Sequence, residues 1–357
     1  MRLRHALLTA GAALAAAVLA AGGPPAASAA PGGPAGSGGP GGPAGATASA
    51  PGPAGATTGG ATAAGATGAA GAAAALAARE AARFWTPERM AGALPVDPER
   101  DGTAAPGRPG ARPGGAGTGR DFGGIPVVGR LFGVKKGGGY FCTAGAVASP
   151  GRDLVLTAAH CLRGTDPKQI AFVPQYTAAR PRPHGTFPVR RIFVDPRYRS
   201  RGPVRGAPLD VAFVQVGPRA DGKLLQDVVG ANRLVTGAGY AHPAVRLIGH
   251  PARAARPRQC VNRTTRFTST DKAGPGSFLR IACTGYPGGT SGGPFLRRYD
   301  PRTRTGEVIG VIGGYQEGGD SPDTSYSPYF GADVRALYAR ATGRAGTAGG
   351  LREEFVS

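Results

Sequence analysis

The sequence predicts an all-β domain that follows a long segment without a core and that ends in one helix. From Phe122 onward, short apolar runs rich in β-branched residues alternate with Gly, Pro and Asp, which is typical of an antiparallel β-sandwich or β-barrel. Of the 357 residues, 63 are Gly and 34 are Pro, so much of the chain cannot contribute to a core. We predict strands at nine runs, Ile125–Phe132, Tyr140–Ala148, Leu154–Ala159, Ile170–Val173, Arg190–Val194, Val211–Val216, Val245–Ile248, Phe278–Ala282 and Val308–Ile312.

The first 29 residues have the pattern of an export signal. A basic start is followed by an uncharged apolar run, Ala6–Ala20, and then by the small residues Ala27-Ser28-Ala29, which signal peptidase accepts. A membrane anchor is the alternative, but the run is shorter than the roughly 20 residues of a spanning helix and is mostly Ala. We therefore predict that residues 1–29 are a cleaved signal peptide and that the mature protein is secreted, with no membrane span.

The next segments differ from each other in composition. Residues 30–78 are almost wholly Ala, Gly, Pro, Ser and Thr, which leaves too little apolar surface to offset the entropy of ordering, so we predict disorder. Residues 79–120 begin with a short helical pattern and contain Trp85, the only tryptophan of the chain. A tryptophan there predicts a propeptide or docking arm followed by a Gly/Pro/Arg linker, and an unstructured tail is the alternative.

The folded domain is expected to span residues 121–341. Its closing helix is indicated by the helical spacing of Asp333, Val334, Leu337 and Tyr338 after Gly331, and residues 342–357 are expected to be a flexible tail. We find no internal repeat and no further apolar stretch long enough to span a bilayer. The domain is expected to be a monomer.

The formal net charge of +21 raises the question of a nucleic-acid partner. The arginines are scattered through the domain without interleaved aromatic residues or a nucleic-acid motif. We therefore expect a solvated basic surface and no nucleic-acid binding. Weak adhesion to anionic cell-wall polymers is the alternative, and salt should weaken it smoothly.

Four cysteines, an even number in an exported chain, predict two disulfides rather than free thiols. They are Cys142, Cys161, Cys260 and Cys283. None belongs to a CxxC pair, and the adjacent His160 and Cys161 would point in different directions in a strand or turn. We expect no metal and no other cofactor.

Two segments offer a base and an acid. His160 ends the apolar run Leu156-Thr157-Ala158-Ala159 and precedes Cys161, and Asp210 lies at the mouth of the apolar run that begins at Val211. A buried carboxylate is costly without a partner, and an imidazole N–H is a natural one. Each residue alone fits a plainer role, a buried structural histidine or a turn aspartate.

A third segment, Gly288-Gly289-Thr290-Ser291-Gly292-Gly293-Pro294, offers a nucleophile. Flanking glycines permit a tight loop that exposes the hydroxyl of Ser291 and turns the N–H groups of Gly289 and Ser291 toward one point. Peptide hydrolysis by a serine needs a nucleophile, a base, an acid that orients the base, and donors for the oxyanion. A plain glycine-rich turn is the alternative.

The segments TAAHC, LDVAF and GGTSGGP, in that order, resemble the three signature segments of chymotrypsin-fold serine proteases. The resemblance covers about Phe122 to Arg340 and implies two six-stranded antiparallel Greek-key β-barrels with a C-terminal helix. It also implies a triad of His160, Asp210 and Ser291, separated by 50 and 81 residues, and an oxyanion hole at Gly289 and Ser291. The substrate would be a protein or peptide.

Segment order excludes an esterase of the α/β-hydrolase type. The loop also matches Gly-x-Ser-x-Gly, but that fold places its histidine after the serine. No histidine follows His250 in this chain, so Ser291 has no downstream base.

The sequence departs from the animal digestive enzymes of the family at Thr290, where they carry an aspartate that pairs with a new N-terminus. We therefore expect an oxyanion hole that forms without insertion of a fresh amine, as in bacterial members. The resemblance also implies that Cys142 pairs with Cys161, which leaves Cys260 for Cys283. The second pair is similar to an arrangement in glutamyl-endopeptidase-like relatives.

Specificity is left open by the sequence. The resemblance places the base of the primary pocket at Gly285 and its wall at Ile312, Gly313 and Gly314. Glycines on the wall leave room for a large apolar or aromatic side chain, and the wall backbone offers a strand for substrate to join. Asp320 or Asp323 selecting Arg or Lys is the rival, and glutamate selection ranks last because the wall lacks a histidine.

Two alternative functions that are not enzymatic remain. A protease fold kept as a catalytically masked or inactive binding module at the cell surface is the main alternative, because an intact triad can be covered by the segment around Trp85. A structural cell-wall protein would leave the triad unexplained.

Overall fold

An alanine-rich helix opens the part of the chain whose structure is known. The computed structural model describes residues 61–97, 115–135 and 138–343, with side chains from residue 69 onward. Helix α1 spans Ala61–Phe84, so it begins inside the segment expected to be disordered, because alanine has the highest helix propensity of all residues. The predicted signal peptide (residues 1–29), residues 30–60, most of the predicted linker (98–114) and the predicted tail after 343 lie outside the described residues.

A second short helix and a short strand follow. Helix α2 (Pro87–Ala91) is capped by Thr86, whose hydroxyl accepts a hydrogen bond from the N–H of Arg89 at 3.3 Å, and Pro87 occupies its first turn. Strand β1 (Leu94–Pro95) then pairs in parallel with Tyr140 and Phe141. We call residues 61–97 the arm. Strand β2 (Arg120–Asp121) lies after the gap in the described chain.

The first sheet closes into a six-stranded antiparallel barrel. Its ladder runs β4, β3, β6, β7, β8 and β5, and β5 pairs again with β4. The strands are short, apolar and buried on the barrel interior, as the sequence pattern predicts. Their bounds are β3 Val128–Lys135, β4 Gly138–Val147, β5 Leu154–Thr157, β6 Ala171–Pro174, β7 Phe187–Val194 and β8 Ala212–Val216.

The second sheet has eight strands and does not close by a continuous ladder. Its order is β15, β12, β11, β10, β13, β14 and β9, with β2 paired to β11. The edge strand β15 approaches the end of β14, where the N–H of Gly313 donates to the carbonyl of Tyr326 at 3.0 Å. The bounds are β9 Arg233–Leu234, β10 His242–Gly249, β11 Arg258–Thr268, β12 Ser277–Ala282, β13 Pro294–Asp300, β14 Thr305–Val311 and β15 Thr324–Pro328.

Three further helices lie outside the sheets. Helix α3 (Pro196–Arg205) is kinked at Gly202 and α4 (Leu225–Val229) is one turn long, and neither has a strong apolar period in the sequence. The predicted closing helix is confirmed as α5 (Ala332–Ala341), which buries Val334, Leu337 and Ala341. The Tyr338 hydroxyl of α5 donates to the Ala148 carbonyl at 2.8 Å, which ties the chain end back to the first barrel.

The main hydrophobic core is shared by the two sheets. Residues of the barrel such as Phe213 and Leu156 form one buried cluster with Ile248, Leu296 and Val311 of the second sheet. A second cluster lies within the second sheet, around Leu247, Phe295 and Ile309. The two sheets are therefore joined by apolar contact, and the loops that carry the predicted catalytic residues converge beside this shared core.

The two expected disulfides are present. Cys142 bonds to Cys161 in the first barrel, and Cys260 bonds to Cys283 across β11 and the end of β12. The sulfurs of Cys142 and Cys161 lie within 4.8 Å of the His160 ring, but the disulfide consumes both thiols, so this group does not offer thiolate ligands to a metal. Among the described helices, none combines the length and the apolarity that crossing a bilayer requires.

Candidate active site

His160 and Asp210 lie together at the end of the first barrel. His160 begins a single turn of 3₁₀ helix after β5, and the neighbouring Cys161–Cys142 disulfide fixes that turn to β4. The Nδ1 atom of His160 is 2.7 Å from Oδ2 of Asp210, and the backbone N–H of His160 donates to Oδ1 of the same carboxylate at 2.8 Å. Asp210 thus holds both the ring and the backbone of His160.

The second sheet completes the shell of Asp210. The N–H of Gly314 donates to Oδ2 of Asp210 at 2.8 Å, and Asp210 is only 1% exposed. With no side chain at Gly313, the chain passes close to this carboxylate, since a Cβ there would lie 3.0 Å from Oδ2. A buried carboxylate with several donors stays ionised, and its charge fixes the orientation of the imidazole.

The pKa values of the pair move in opposite directions. Burial acts to lower the pKa of His160, but the charge and hydrogen bond of Asp210, with the charges of Asp97 and Glu317, outweigh it and raise that pKa above its ordinary value. Burial acts to raise the pKa of Asp210, but the His160 charge and the hydrogen bonds from His160 and Gly314 hold it below its ordinary value. The pair is suited to stabilise a protonated imidazole next to an ionised carboxylate.

Ser291 lies in a tight loop between β12 and β13. Gly289 has a φ of 88°, a conformation that side-chain-bearing residues rarely adopt, and a Cβ there would lie 2.6 Å from the Phe141 ring. The N–H of Gly292 donates to the carbonyl of Ile312 at 2.7 Å, and the N–H of Ile312 donates to the carbonyl of Gly293 at 2.8 Å. These bonds fasten the predicted nucleophile loop to the segment that was expected to form a pocket wall.

Thr143 is a supporting residue that sequence reasoning missed. Its backbone N–H donates to the carbonyl of Ser291 at 2.8 Å, and its hydroxyl donates to the carbonyl of Gly289 at 2.9 Å while accepting from the N–H of His250 at 2.8 Å. The side chain is fully buried. A threonine within an apolar strand carries no pattern that would indicate this role.

Thr290, the position that departs from the animal enzymes, is engaged locally. Its hydroxyl donates to the carbonyl of Pro287 at 2.7 Å, and its side chain packs against Gly249, where a Cβ would lie 2.8 Å from it. The residue is completely buried. At the position where the animal enzymes carry an aspartate that pairs with a new N-terminus, the described structure therefore has a buried threonine whose hydroxyl bonds within its own turn.

Asp97, the last described residue of the arm, enters the site. The hydroxyl of Ser291 donates to Oδ2 of Asp97 at 2.7 Å, and the N–H of Gly289 donates to Oδ1 of Asp97 at 2.9 Å. Nε2 of His160 is buried and has no hydrogen-bond partner among the residues that the structure describes. Sequence analysis did not single out Asp97, since an acid between two prolines on a remote segment has no visible relation to Ser291.

The predicted pocket residues are only partly brought together. Ile312, Gly313 and Gly314 lie beside Asp210 and the serine loop, as described above. Gly285 has other partners. Its carbonyl accepts a hydrogen bond from Nη1 of Arg258 at 2.9 Å, and its N–H donates to Oδ1 of Asp323 at 3.2 Å. Asp323 is thereby tied to the backbone of the expected pocket base.

An aromatic cluster that the sequence analysis did not anticipate borders the wall. The Phe278 ring would lie 3.0 Å from a Cβ at Gly314, and Tyr315 has its ring centroid 5.9 Å from that of Phe278. Tyr326 and Phe267 complete the group, each with a centroid about 5 Å from a neighbour's: 5.1 Å for Tyr315–Tyr326 and 4.8 Å for Phe267–Tyr326. Of the two glycines, Gly314 therefore borders apolar ring surface, whereas Gly313 lies against the Asp210 carboxylate.

The chain resembles known peptidases in part of its sequence and in its fold. Residues 142–311 match the family model of a trypsin-like peptidase domain. Among solved structures, the chain is similar to the protease Anisep from Arthrobacter nicotinovorans, with a TM-score of 0.54 and 24% identity over 63% of this chain and 99% of that one. It is also similar to the thermostable serine protease AL20 from an extremophilic microorganism, with a TM-score of 0.51 and 24% identity over 61% and 97% of the two chains.

A Glu endopeptidase structure is more distant, with a TM-score of 0.44 and 16% identity over 64% of this chain and 98% of that one. A search among curated proteins returned no match. At these identities the structural likeness concerns the fold, and the family match concerns the region that contains His160, Asp210 and Ser291. The chain therefore has the chymotrypsin-like fold, and its residues 142–311 match a trypsin-like peptidase domain.

Proposed function

We propose that this protein is a secreted serine endopeptidase whose catalytic triad is His160, Asp210 and Ser291. The observation that carries the proposal is the 2.7 Å contact between Nδ1 of His160 and Oδ2 of Asp210, made in a buried setting beside the glycine loop of Ser291. This is the arrangement in which a carboxylate sets the tautomer of an imidazole base. The site needs no cofactor for this chemistry.

The mechanism is acyl transfer in two steps. Oγ of Ser291 attacks the carbonyl carbon of the scissile peptide, His160 Nε2 takes the hydroxyl proton, and the N–H groups of Gly289 and Ser291 stabilise the resulting oxyanion. His160 then gives the proton to the leaving amine as the C–N bond breaks, which leaves an ester on Ser291. Water attacks that ester with His160 again as base, releasing the carboxylic acid and restoring Ser291.

For specificity, we propose an apolar or aromatic residue before the scissile bond. The support is the glycine wall at Gly313 and Gly314 and the aromatic cluster beside it. The rival is selection of Arg or Lys by Asp320, whose charge acts on Tyr315 and Tyr326. A peptide-library digest with mass-spectrometric readout separates the two, and cleavage mainly after Arg and Lys would reject the apolar pocket.

Secretion belongs to the same proposal. Its support is the export-signal pattern of residues 1–29 and the two disulfides, which form and persist in oxidising compartments. The substrate is accordingly an extracellular protein or peptide.

The proposal is tested by covalent labelling of Ser291 with a fluorophosphonate. Labelling is measured on the intact chain, on the intact chain carrying Asp97→Ala, and on forms produced by trace proteolysis, so that a covered site does not hide a functional one. We expect Ser291→Ala to abolish both labelling and peptide hydrolysis in every form. Ser200→Ala, at an exposed serine of α3 whose hydroxyl donates to the Arg197 carbonyl, is the matched control, and each of its forms should label as the corresponding form of the unaltered chain does. Absence of labelling and hydrolysis in all forms would reject the serine-protease function.

A further inference from the structure

The arm lies in a groove of the first barrel that leads to the catalytic site. Trp85 is 2% exposed and Met90 is fully buried, and both pack on Phe132, Phe141 and other residues of β3, β4 and β6. The Trp85 and Phe132 rings are 5.3 Å apart between centroids. The arm therefore contributes its own hydrophobic cluster instead of resting loosely on the surface.

A buried arginine packs against the same aromatic residues that line the groove. The Arg130 guanidinium, which is buried, stacks 3.9 Å from the centroid of the Phe141 ring and 4.4 Å from that of Tyr176. On the outer side, Nη1 of Arg182 donates to the carbonyl of Ala82 at 3.0 Å, which fastens the end of α1. The groove that receives Trp85 is thus lined by packed aromatic rings, and a hydrogen bond from Arg182 holds the arm at its edge.

Backbone pairing carries the arm from this groove into the catalytic site. Leu94 and Pro95 pair in parallel with Tyr140 and Phe141, and the N–H of Val96 donates to the carbonyl of Phe141 at 3.1 Å. The next residue is Asp97, whose carboxylate reaches the Ser291 hydroxyl and the Gly289 N–H at 2.7 and 2.9 Å. Strand pairing therefore sets the register that brings this side chain to the nucleophile.

Resting on the proposed function, we propose that the arm is a built-in inhibitor whose Asp97 carboxylate holds the enzyme latent. One carboxylate oxygen accepts the hydrogen bond of the Ser291 hydroxyl, which in catalysis would go to His160. The other accepts the hydrogen bond of the Gly289 N–H, which in catalysis would go to the oxyanion. A carboxylate in this position resembles the acid product of the reaction. The same contact blocks the nucleophile and the oxyanion donor together.

The same contacts predict that Ser291 does not cleave the arm at Asp97. Attack by Ser291 needs an electrophilic carbonyl with a leaving amine, whereas a carboxylate carries negative charge and has no leaving group of that kind. The peptide carbonyl of Asp97 is directed elsewhere, because its oxygen lies against Gly288, where a Cβ would come within 2.2 Å of it. The arm therefore offers Ser291 a product-like group and withholds a scissile bond.

His160 is affected by the same contact. Its Nε2 has no hydrogen-bond partner in the described chain, and the Asp97 charge adds to the effects that raise the pKa of its ring. A protonated imidazole cannot accept a proton from Ser291. The arm thus disfavours the base as well as the nucleophile.

The test compares rates of fluorophosphonate labelling on the intact secreted chain, with mass spectrometry confirming that the arm is retained. We expect Asp97→Ala to label Ser291 at least tenfold faster than the unaltered chain. Glu80→Ala removes an exposed carboxylate from α1 and is the matched control, expected to label at the unaltered rate. Circular dichroism establishes that each variant is folded.

A second variant changes the residue of the serine loop that contacts the backbone of Asp97. Gly288 has a backbone outside the left-handed region, so alanine is accommodated there, but its Cβ would collide with the Asp97 carbonyl oxygen. We expect Gly288→Ala to displace Asp97 and to accelerate labelling with the carboxylate still present. If Asp97→Ala does not fold, Gly288→Ala still tests whether the arm holds the enzyme latent, and Asp97→Asn then tests the role of the carboxylate charge.

The outcomes separate this inference from the proposed function. If the unaltered intact chain labels as fast as Asp97→Ala, the enzyme is not latent and the inference fails while the function stands. Faster labelling of Gly288→Ala without any gain in Asp97→Ala would show that the arm blocks by bulk and would overturn the role of the carboxylate. If no variant or processed form labels, the proposed function fails and the inference fails with it.

Discussion

At the scale of single residues, the site depends on carboxylates placed on either side of one imidazole. Asp210 binds Nδ1 and the backbone N–H of His160, while the charge of Asp97 acts on the ring from the side of the nucleophile. The first contact orients a base, and the second favours the protonated form that cannot serve as one. One aspartate therefore orients His160 as a base, and a second aspartate favours its inactive protonated form.

This arrangement predicts the direction in which the pKa of His160 moves when Asp97 is neutralised. Burial lowers that pKa, and the negative charges of Asp210, Asp97 and Glu317 raise it, so removing one of them must lower it. We expect Asp97→Asn to lower the pKa of His160, followed by NMR titration of its Cε1–H signal. Glu317→Gln is the graded control, because the effect of Glu317 is smaller than that of Asp97, and it should lower the pKa less. An unchanged or higher pKa in Asp97→Asn would contradict the proximity of that charge.

At the scale of elements, the apolar runs of the sequence predict the strands whose buried residues are uniformly apolar. The nine predicted runs correspond to strands of the two sheets, and their ends differ by a few residues from the observed bounds, as with Ile125–Phe132 against Val128–Lys135 for β3. The closing helix was predicted almost to the residue. These elements are visible in the sequence because burial selects their residues directly.

The elements that were missed have other reasons for their conformation. Strand β11 alternates a few buried residues such as Cys260 and Thr264 with exposed arginines, so it contains no apolar run. Strand β15 buries Ser325 and Ser327, whose hydroxyls rather than apolar surface fill the space between strands. In each case tertiary pairing decides the conformation, and the local composition alone gives a weak signal.

His160, Asp210 and Ser291 could be singled out from the sequence because each lies in a distinctive segment, whereas the contact of Asp97 could not be predicted. Asp97 and Ser291 are 194 residues apart, and the contact depends on how Trp85 and the strand pairing at Phe141 position the arm. The sequence predicted that a segment with the only tryptophan would dock. It contained nothing to indicate which side chain would reach the nucleophile.

At the scale of the whole molecule, most apolar contacts of the arm are separate from the core of the peptidase domain. Val96 of the arm packs against the core shared by the two sheets but is only partly buried, whereas Trp85, Met90 and Ala93 belong to a cluster in the outer groove of the barrel. The domain therefore does not require the arm for its own core. Release of the arm is then a local opening, with a free energy below that of global unfolding.

This separation predicts the effect of Trp85→Ala. Truncating a buried tryptophan costs about 3–5 kcal/mol, and here that loss should fall on docking of the arm rather than on the domain. We expect hydrogen exchange to accelerate by two or more orders of magnitude in α2 and to stay unchanged in β5 and β8, with faster labelling of Ser291 although Asp97 is intact. Leu76→Ala, at a half-exposed leucine of α1, is the matched control and should alter neither. A uniform loss of protection across both sheets would instead mean that the arm is part of one cooperative unit with the domain, in which case its release would unfold the enzyme rather than activate it.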